Sequence, residues 1–238
     1  MISFDEFKCN LEAVRKRIVR SAQLCGRDPE TIRLLPVTKT HGPEVLDYVK
    51  RSGMDWVGEN RVQETIEKQG TEWRGRIRWE LIGHLQSNKV KHAVESFDRI
   101  QSVDSVSLLS KLNRHAGDRG IIMPVLLQFN TGRDPAKSGF ETEDAEMAVE
   151  ACLRCDALKL EGLMTIAPLV EDPAAARLAF AGLRSLRDRL SRTFGIALPE
   201  LSMGMTSDME AAIEEGSTCL RIGTALFGGR TGGADHAG

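Results

Sequence analysis

The sequence predicts an α/β fold: a single (β/α)8 barrel of the TIM type with an added N-terminal helix. Three observations predict it. Eight short β-rich runs recur along the 238 residues, with a helical pattern between successive runs, which is the rhythm of repeated βα units. The first run leads into Pro36-Val37-Thr38-Lys39-Thr40-His41-Gly42-Pro43 and lacks the G-x-G-x-x-G turn usual in a doubly wound open sheet. No linker rich in Pro, Gly or Ser and no repeat interrupts the body, so residues 1–230 read as one domain.

An amphipathic helix opens the chain from about Phe4 to Leu24, where Phe4, Phe7, Leu11, Val14, Ile18 and Val19 recur at helical spacing. The strand candidates follow as Arg33–Thr38, Asp55–Gly58, Arg78–Ile82, Arg99–Val103, Ile122–Phe129, Leu158–Thr165, Glu200–Met203 and Thr218–Ile222. Helical patterns fill the intervals at Gly42–Arg51, Arg61–Gln69, Asn88–Ser96, Ser105–His115, Thr142–Cys152, Pro173–Arg192 and Asp208–Glu215. The glycine-rich end reads as a flexible C-terminal tail over 231–238.

Composition narrows the function. With 32 Lys+Arg against 34 Asp+Glu the net charge is −2, which removes the bulk electrostatic case for nucleic acid as a partner. No apolar stretch approaches the ~18 residues of a membrane span, and the acidic start Ser3-Phe4-Asp5-Glu6 does not resemble a secretory signal. Five cysteines, an odd number, suggest free thiols in a reducing compartment, so the expected location is cytoplasmic. Cys152 and Cys155 form a C-x-x-C that fits a redox pair, half a zinc site, or two thiols near a helix end. The last is preferred, because no second C-x-x-C or spaced histidine completes a ligand set. No metal is expected. The basic clusters Arg15-Lys16-Arg17 and Arg74–Arg78 read as solvated faces.

In such a barrel, functional groups gather at the C-terminal ends of strands. Lys39 follows the apolar run Leu34-Leu35-Pro36-Val37 and should emerge at the mouth, where desolvation would supply the neutral amine of Schiff-base chemistry. It also fits an ordinary surface lysine in a βα loop. After the seventh and eighth runs come Ser202-Met203-Gly204-Met205-Thr206-Ser207-Asp208 and Arg221-Ile222-Gly223-Thr224, each leading into a helix. Small hydroxyl residues there suit a phosphate, although Ser207-x-x-Glu210 is equally a capping box. Arg221, buried by its apolar neighbours, would need an acceptor. A phosphate, an imine-forming lysine and an arginine facing a ring nitrogen would all be met by pyridoxal phosphate (PLP).

These segments, with Gly58-Glu59-Asn60-Arg61-Val62-Gln63-Glu64, Ile82-Gly83-His84-Leu85-Gln86-Ser87-Asn88-Lys89, Lys137-Ser138-Gly139 and Gly162-Leu163-Met164-Thr165-Ile166, resemble the PLP homeostasis protein family. Its members are single-domain relatives of the alanine racemase N-terminal barrel, and the match runs across nearly the whole chain. The resemblance implies a Schiff base on Lys39, with Asn60, Met203, Thr206, Arg221, Gly223 and Thr224 around the cofactor. It puts His84, Lys137 and Met164 near the site. Asn60 also reads as an N-cap with Gln63 three residues on, and His84 as an ordinary loop histidine. Two positions depart from the family. Glu80 follows Trp79 where a histidine is usual, which makes its role hard to interpret. Thr206 replaces a serine and keeps the hydroxyl.

The resemblance implies a carrier that holds PLP reversibly without an established turnover, as a monomer or weak dimer, with PLP-requiring apo-enzymes as recipients. A two-base racemase would need a tyrosine from a second domain. The one tyrosine here, Tyr48, sits on an apolar helical pattern that suggests packing. Alternatives from other classes are a PLP enzyme acting on amino acids, an aldolase-like barrel using Lys39 on a sugar phosphate, and an interaction protein.

Overall fold

In the computed structural model the described residues are 2–70, 72–168 and 173–229; the expected tail at 231–238 lies outside them. Helix α1 (Phe4–Leu24) starts at Ser3, whose hydroxyl accepts from the Glu6 amide while the Glu6 carboxylate accepts from the Ser3 amide, a reciprocal capping box. It buries Phe7, Leu11, Val14 and Ile18; Val19 stays exposed. Units β1 (Arg33–Pro36), α2 (Glu44–Arg51), β2 (Trp56–Glu59), α3 (Val62–Gln69), β3 (Arg78–Leu81) and α4 (Val90–Ser96) follow. Then come β4 (Arg99–Val103), α5 (Val106–Asp118), β5 (Met123–Gln128), α6 (Ala145–Leu153), β6 (Leu158–Met164) and α7 (Pro173–Phe194). The chain continues through β7 (Glu200–Ser202), α8 (Met209–Glu214), β8 (Cys219–Ile222) and α9 (Thr224–Phe227). Every expected strand and helix is present, and most ends move by only one to three residues.

All eight strands are parallel, in the order β1-β8-β7-β6-β5-β4-β3-β2. The ring closes where Val37 bridges Gly58 and the Thr38 amide donates to the Gly58 carbonyl at 3.1 Å. Alternation along each strand divides the apolar residues into two cores. The larger lies between strands and helices. The smaller, Leu35, Val37, Ile82 and Cys219 with Trp56 against it, is separate and plugs the barrel.

The interior is not wholly apolar. Glu80, Gln101, Ser202 and Arg221 are buried and hydrogen-bonded to one another across the barrel. Near the strands' N-terminal end, Arg33 lies 2.5 Å from Glu80, and Arg99 lies 2.6 Å from Glu200 and 2.9 Å from Glu161. Trp56 offers its ring to Arg33, Arg78 and Arg99. Burial works against the charge on Arg33, but Cys219, Glu80 and Glu200 outweigh it and hold the guanidinium above its ordinary range.

Cys152 is buried, Cys155 is partly buried, and both are free thiols. Burial pushes the Cys152 thiol up to about 12, so it is a poor nucleophile near neutral pH. No group of His, Cys, Asp or Glu among the described residues could hold a metal. None of their helices is long and apolar enough to cross a membrane. Tyr48 packs against Phe4 and Phe7 at 5.5 and 5.7 Å and donates to the Ile2 carbonyl.

Candidate functional site

At the C-terminal ends of the strands lies a cavity of about 750 Å³, within the range of small-molecule sites. Its lining includes Lys39, Asn60, His84, Lys137, Thr206, Arg221, Gly223 and Thr224. Eight expected site residues therefore meet in one place, although they are spread over 186 positions of sequence from Lys39 to Thr224.

Two expected residues do not join them. Met203 is fully buried in the larger core. Ser202 points inward to Gln101 and Arg221, so strand alternation turns Met203 outward toward the helices. Met164 is also fully buried and does not line the cavity. It ends β6 in register with Gln128 and Ser202.

The first loop is held from behind by residues that sequence reading passed over. Lys68 on α3 is 4 % exposed and donates to the Thr38 carbonyl at 2.7 Å and to Glu59 Oε1 at 2.5 Å. The Thr38 hydroxyl donates to the same Glu59 oxygen at 2.6 Å. On the other side of Lys39, the Thr40 amide donates to Glu64 at 2.8 Å. Thr40 sits at φ +66°, a left-handed conformation uncommon for a β-branched residue, and this grip maintains it. Burial pushes the Glu59 carboxyl up, opposed by Lys68 and Thr38. Burial, then Lys68, lowers the pKa of His41, whose ring packs tilted against Phe227 with centroids 5.2 Å apart.

Asn60 reaches the cavity because the loop after β3 passes very close to it. A Cβ on Gly83 would lie 2.3 Å from the Asn60 carbonyl oxygen, so only glycine permits this approach. The alternative reading of Asn60 as a helix cap is corrected. The residue preceding α3 is Arg61, with no side-chain cap, and Gln63 bonds Glu67 instead. His84 lies half-exposed at the rim, 3.0 Å from Asp104. The Lys137–Ser138 segment is tied down by Gln128, which donates to the Ser138 carbonyl at 2.6 Å.

The loops after β7 and β8 form the opposite wall. The Thr206 hydroxyl accepts from the Ala225 amide at 3.3 Å, which joins one loop to the start of α9. The capping box expected at Ser207 and Glu210 does not form. Asp208 precedes α8 and accepts from the Met205 amide at 2.5 Å, while Glu210 is drawn outward to Arg17. That arginine donates to Glu210 at 2.8 and 3.0 Å and to the Thr206 carbonyl at 3.2 Å. Arg17 is thus not only part of a solvated face: α1 fixes the loop that carries Thr206. Asn10 does the same for α9 through the Leu226 carbonyl.

Arg221 is buried, with Nη1 donating to Ser202 at 2.7 Å and Nη2 to the Thr165 carbonyl at 2.8 Å. Among the described residues no carboxylate stands at ion-pair distance, and burial pushes the guanidinium below its ordinary range. A buried, unpaired cation bordering a cavity is costly unless a ligand supplies an acceptor there. The cavity therefore combines an amine, a buried donor fork, and a wall of small residues and hydroxyls.

The fold is that of the alanine racemase N-terminal domain class, whose family model matches residues 9–231. The chain is 40% identical over 220 residues to the pyridoxal phosphate homeostasis protein of Aquifex aeolicus, covering 92% of this chain and 96% of that one. The crystal structure of an unknown protein from Bifidobacterium adolescentis superposes with a TM-score of 0.87 at 36% identity, covering 95% and 98% of the two chains. PipY of Synechococcus elongatus PCC7942, solved with PLP bound, gives a TM-score of 0.77 at 36% identity over 89% of this chain and 99% of that one. The chain belongs to the pyridoxal phosphate homeostasis protein family.

Proposed function

We propose that this protein binds PLP in the cavity at the barrel mouth and serves as a reversible reservoir for it. The observation that carries this reading is the meeting of Lys39, Arg221 and the Thr206–Thr224 wall around one cavity. The residues present fit the group. PLP brings an aldehyde that condenses with amines, a phosphate dianion and a ring nitrogen that accepts a hydrogen bond. Lys39 is the amine: its Nζ adds to the aldehyde carbon and one water leaves, and hydrolysis returns both partners.

Thr206, Gly223 and Thr224 hold the phosphate through hydroxyls and the backbone amides of the strand-end loops. Arg221 donates to the ring nitrogen. A guanidinium stays protonated and passes no proton to the ring, which suits holding the cofactor rather than driving carbanion chemistry on it. Asn60 lies where it can orient the ring, and His84 and Lys137 line the rim.

The same arrangement supports a carrier over a racemase-like enzyme. The chain's single tyrosine is engaged with Phe4, Phe7 and the Ile2 carbonyl, so no tyrosine is available in the cavity as an opposite-face base. PLP-requiring apo-enzymes are the recipients that such a carrier would serve, and free thiols such as Cys152 and Cys219 suit the cytoplasm. Titration of the purified protein with PLP, followed by visible absorption, tests the reading. Wild type should develop a saturable band that Lys39→Ala loses; identical spectra for the two would refute it.

A further inference from the structure

A run of buried polar groups crosses the barrel interior beneath the site and ends on Glu80, the residue that stands where the family usually has histidine. Glu80 is fully buried. Its carboxylate accepts from Arg33 at 2.5 and 3.2 Å and from Gln101 Nε2, and Arg99 stands 3.9 Å away. The Gln101 carbonyl oxygen accepts from the Ser202 hydroxyl at 2.5 Å, and Ser202 Oγ accepts from Arg221 Nη1 at 2.7 Å.

Each link has only one possible polarity while Glu80 is ionised between its arginines. A carboxylate only accepts, so Gln101 must turn its NH2 toward Glu80 and its oxygen toward Ser202. Ser202 has one proton, and that proton is committed to Gln101. Its oxygen is then left to accept from Arg221, whose other Nη is held by Thr165. The orientation of Gln101 and of the Ser202 proton is set at Glu80, three hydrogen bonds from the guanidinium.

We propose that Glu80 is a positioning residue for the cofactor site, acting through Gln101 and Ser202 to hold Arg221 in the orientation that meets the ring nitrogen of PLP. This rests on the PLP reading above. Replacing the carboxylate by an amide lets Gln101 flip and offer its NH2 to Ser202, so the Ser202 oxygen is shared between two donors and the guanidinium's anchor weakens. The ring nitrogen then meets a mobile donor and exchanges protons with water more readily.

The test compares wild type, Glu80→Gln, Ser202→Ala and the double variant by PLP titration and by the pH dependence of the bound chromophore's absorption. Glu80→Gln should weaken apparent affinity about two- to thirtyfold, the range for coupling through packed side chains. It should also move the pH midpoint of the absorption by roughly half a unit or more. In the Ser202→Ala background the same substitution should add almost nothing, because the link is already cut. A Glu80→Gln spectrum and pH profile matching wild type would overturn the proposal, as would an undiminished effect in the Ser202→Ala background. If Glu80→Gln does not fold, Gln101→Met interrupts the relay without touching the arginine pairs. It should shift the pH midpoint likewise, and an unmoved midpoint counts against the relay. A wild type with no chromophore at all would instead remove the PLP reading, and this inference with it.

Discussion

Lys68→Met isolates the buried grip behind Lys39. Methionine keeps most of the side-chain volume but removes the ammonium that bonds Glu59 at 2.5 Å and the Thr38 carbonyl at 2.7 Å. Glu59 is fully buried, and only the Thr38 hydroxyl would remain to it. Breaking one side of a buried pair costs about 3–5 kcal/mol, because the other charge stays behind unpaired. Set against a typical net stability of about 5–15 kcal/mol, that is a large loss. For a domain of this size about 2–4 °C is lost per kcal/mol, so the melting midpoint should fall by roughly 6–20 °C.

The loss should depend on pH. Burial holds the Glu59 carboxyl above its ordinary value, so the folded state binds that proton more tightly than the unfolded state. The penalty is absent in acid and grows as pH rises past the unfolded carboxyl's pKa. Thermal unfolding followed by circular dichroism at several pH values measures this. Adding Glu59→Gln to Lys68→Met should recover a substantial part of the midpoint at neutral pH. A Lys68→Met midpoint within about 2 °C of wild type, or a double variant no better than the single, would refute the reasoning.

Three further outcomes follow from the same geometry. Arg17→Met removes the tie from α1 to the Thr206 loop; its half-exposed pair with Glu210 is worth about 1 kcal/mol at most, so PLP affinity should fall about two- to fivefold, read by absorption titration. His41, depressed by burial and by Lys68, should titrate below the ordinary imidazole value in NMR spectra of the ring and move upward in Lys68→Met. Between its folded and unfolded pKa values the unfolded chain binds more protons, so its contribution to stability rises with pH there. Gly83→Ala should destabilise by about 1–3 kcal/mol, measured by urea unfolding, because its methyl would stand 2.3 Å from the Asn60 carbonyl oxygen.

The barrel was legible in the sequence because its strands are short apolar runs buried on both faces, separated by amphipathic helices, and this pattern survives single misplaced residues. The mouth was legible because strand ends supply it and the family's segments fall there. The Met203 side chain lies outside the cavity for a reason of parity: at the end of β7 one step of alternation separates the cavity from the helix layer, and Ser202 takes the inward position. The supporting groups were not legible. Lys68 and Arg17 look like ordinary helix-surface charges until their distant partners, Glu59 and Glu210, are brought against them by the fold. Arg33 opens β1, where a polar residue usually marks a solvated edge, and Glu80 is a charge within β3; here the barrel's lower interior pairs them. The Ser207 box fails because Arg17, remote in sequence, takes Glu210.

The proposed reversible bond to Lys39 is the centre of the account, and borohydride reduction of the PLP-loaded protein tests it most directly. Reduction makes the link permanent, so peptide mass spectrometry should find a pyridoxyl-phosphate mass on the peptide carrying Lys39 and none in Lys39→Ala. Unlabelled wild type, or label confined to another lysine such as Lys137, would contradict it.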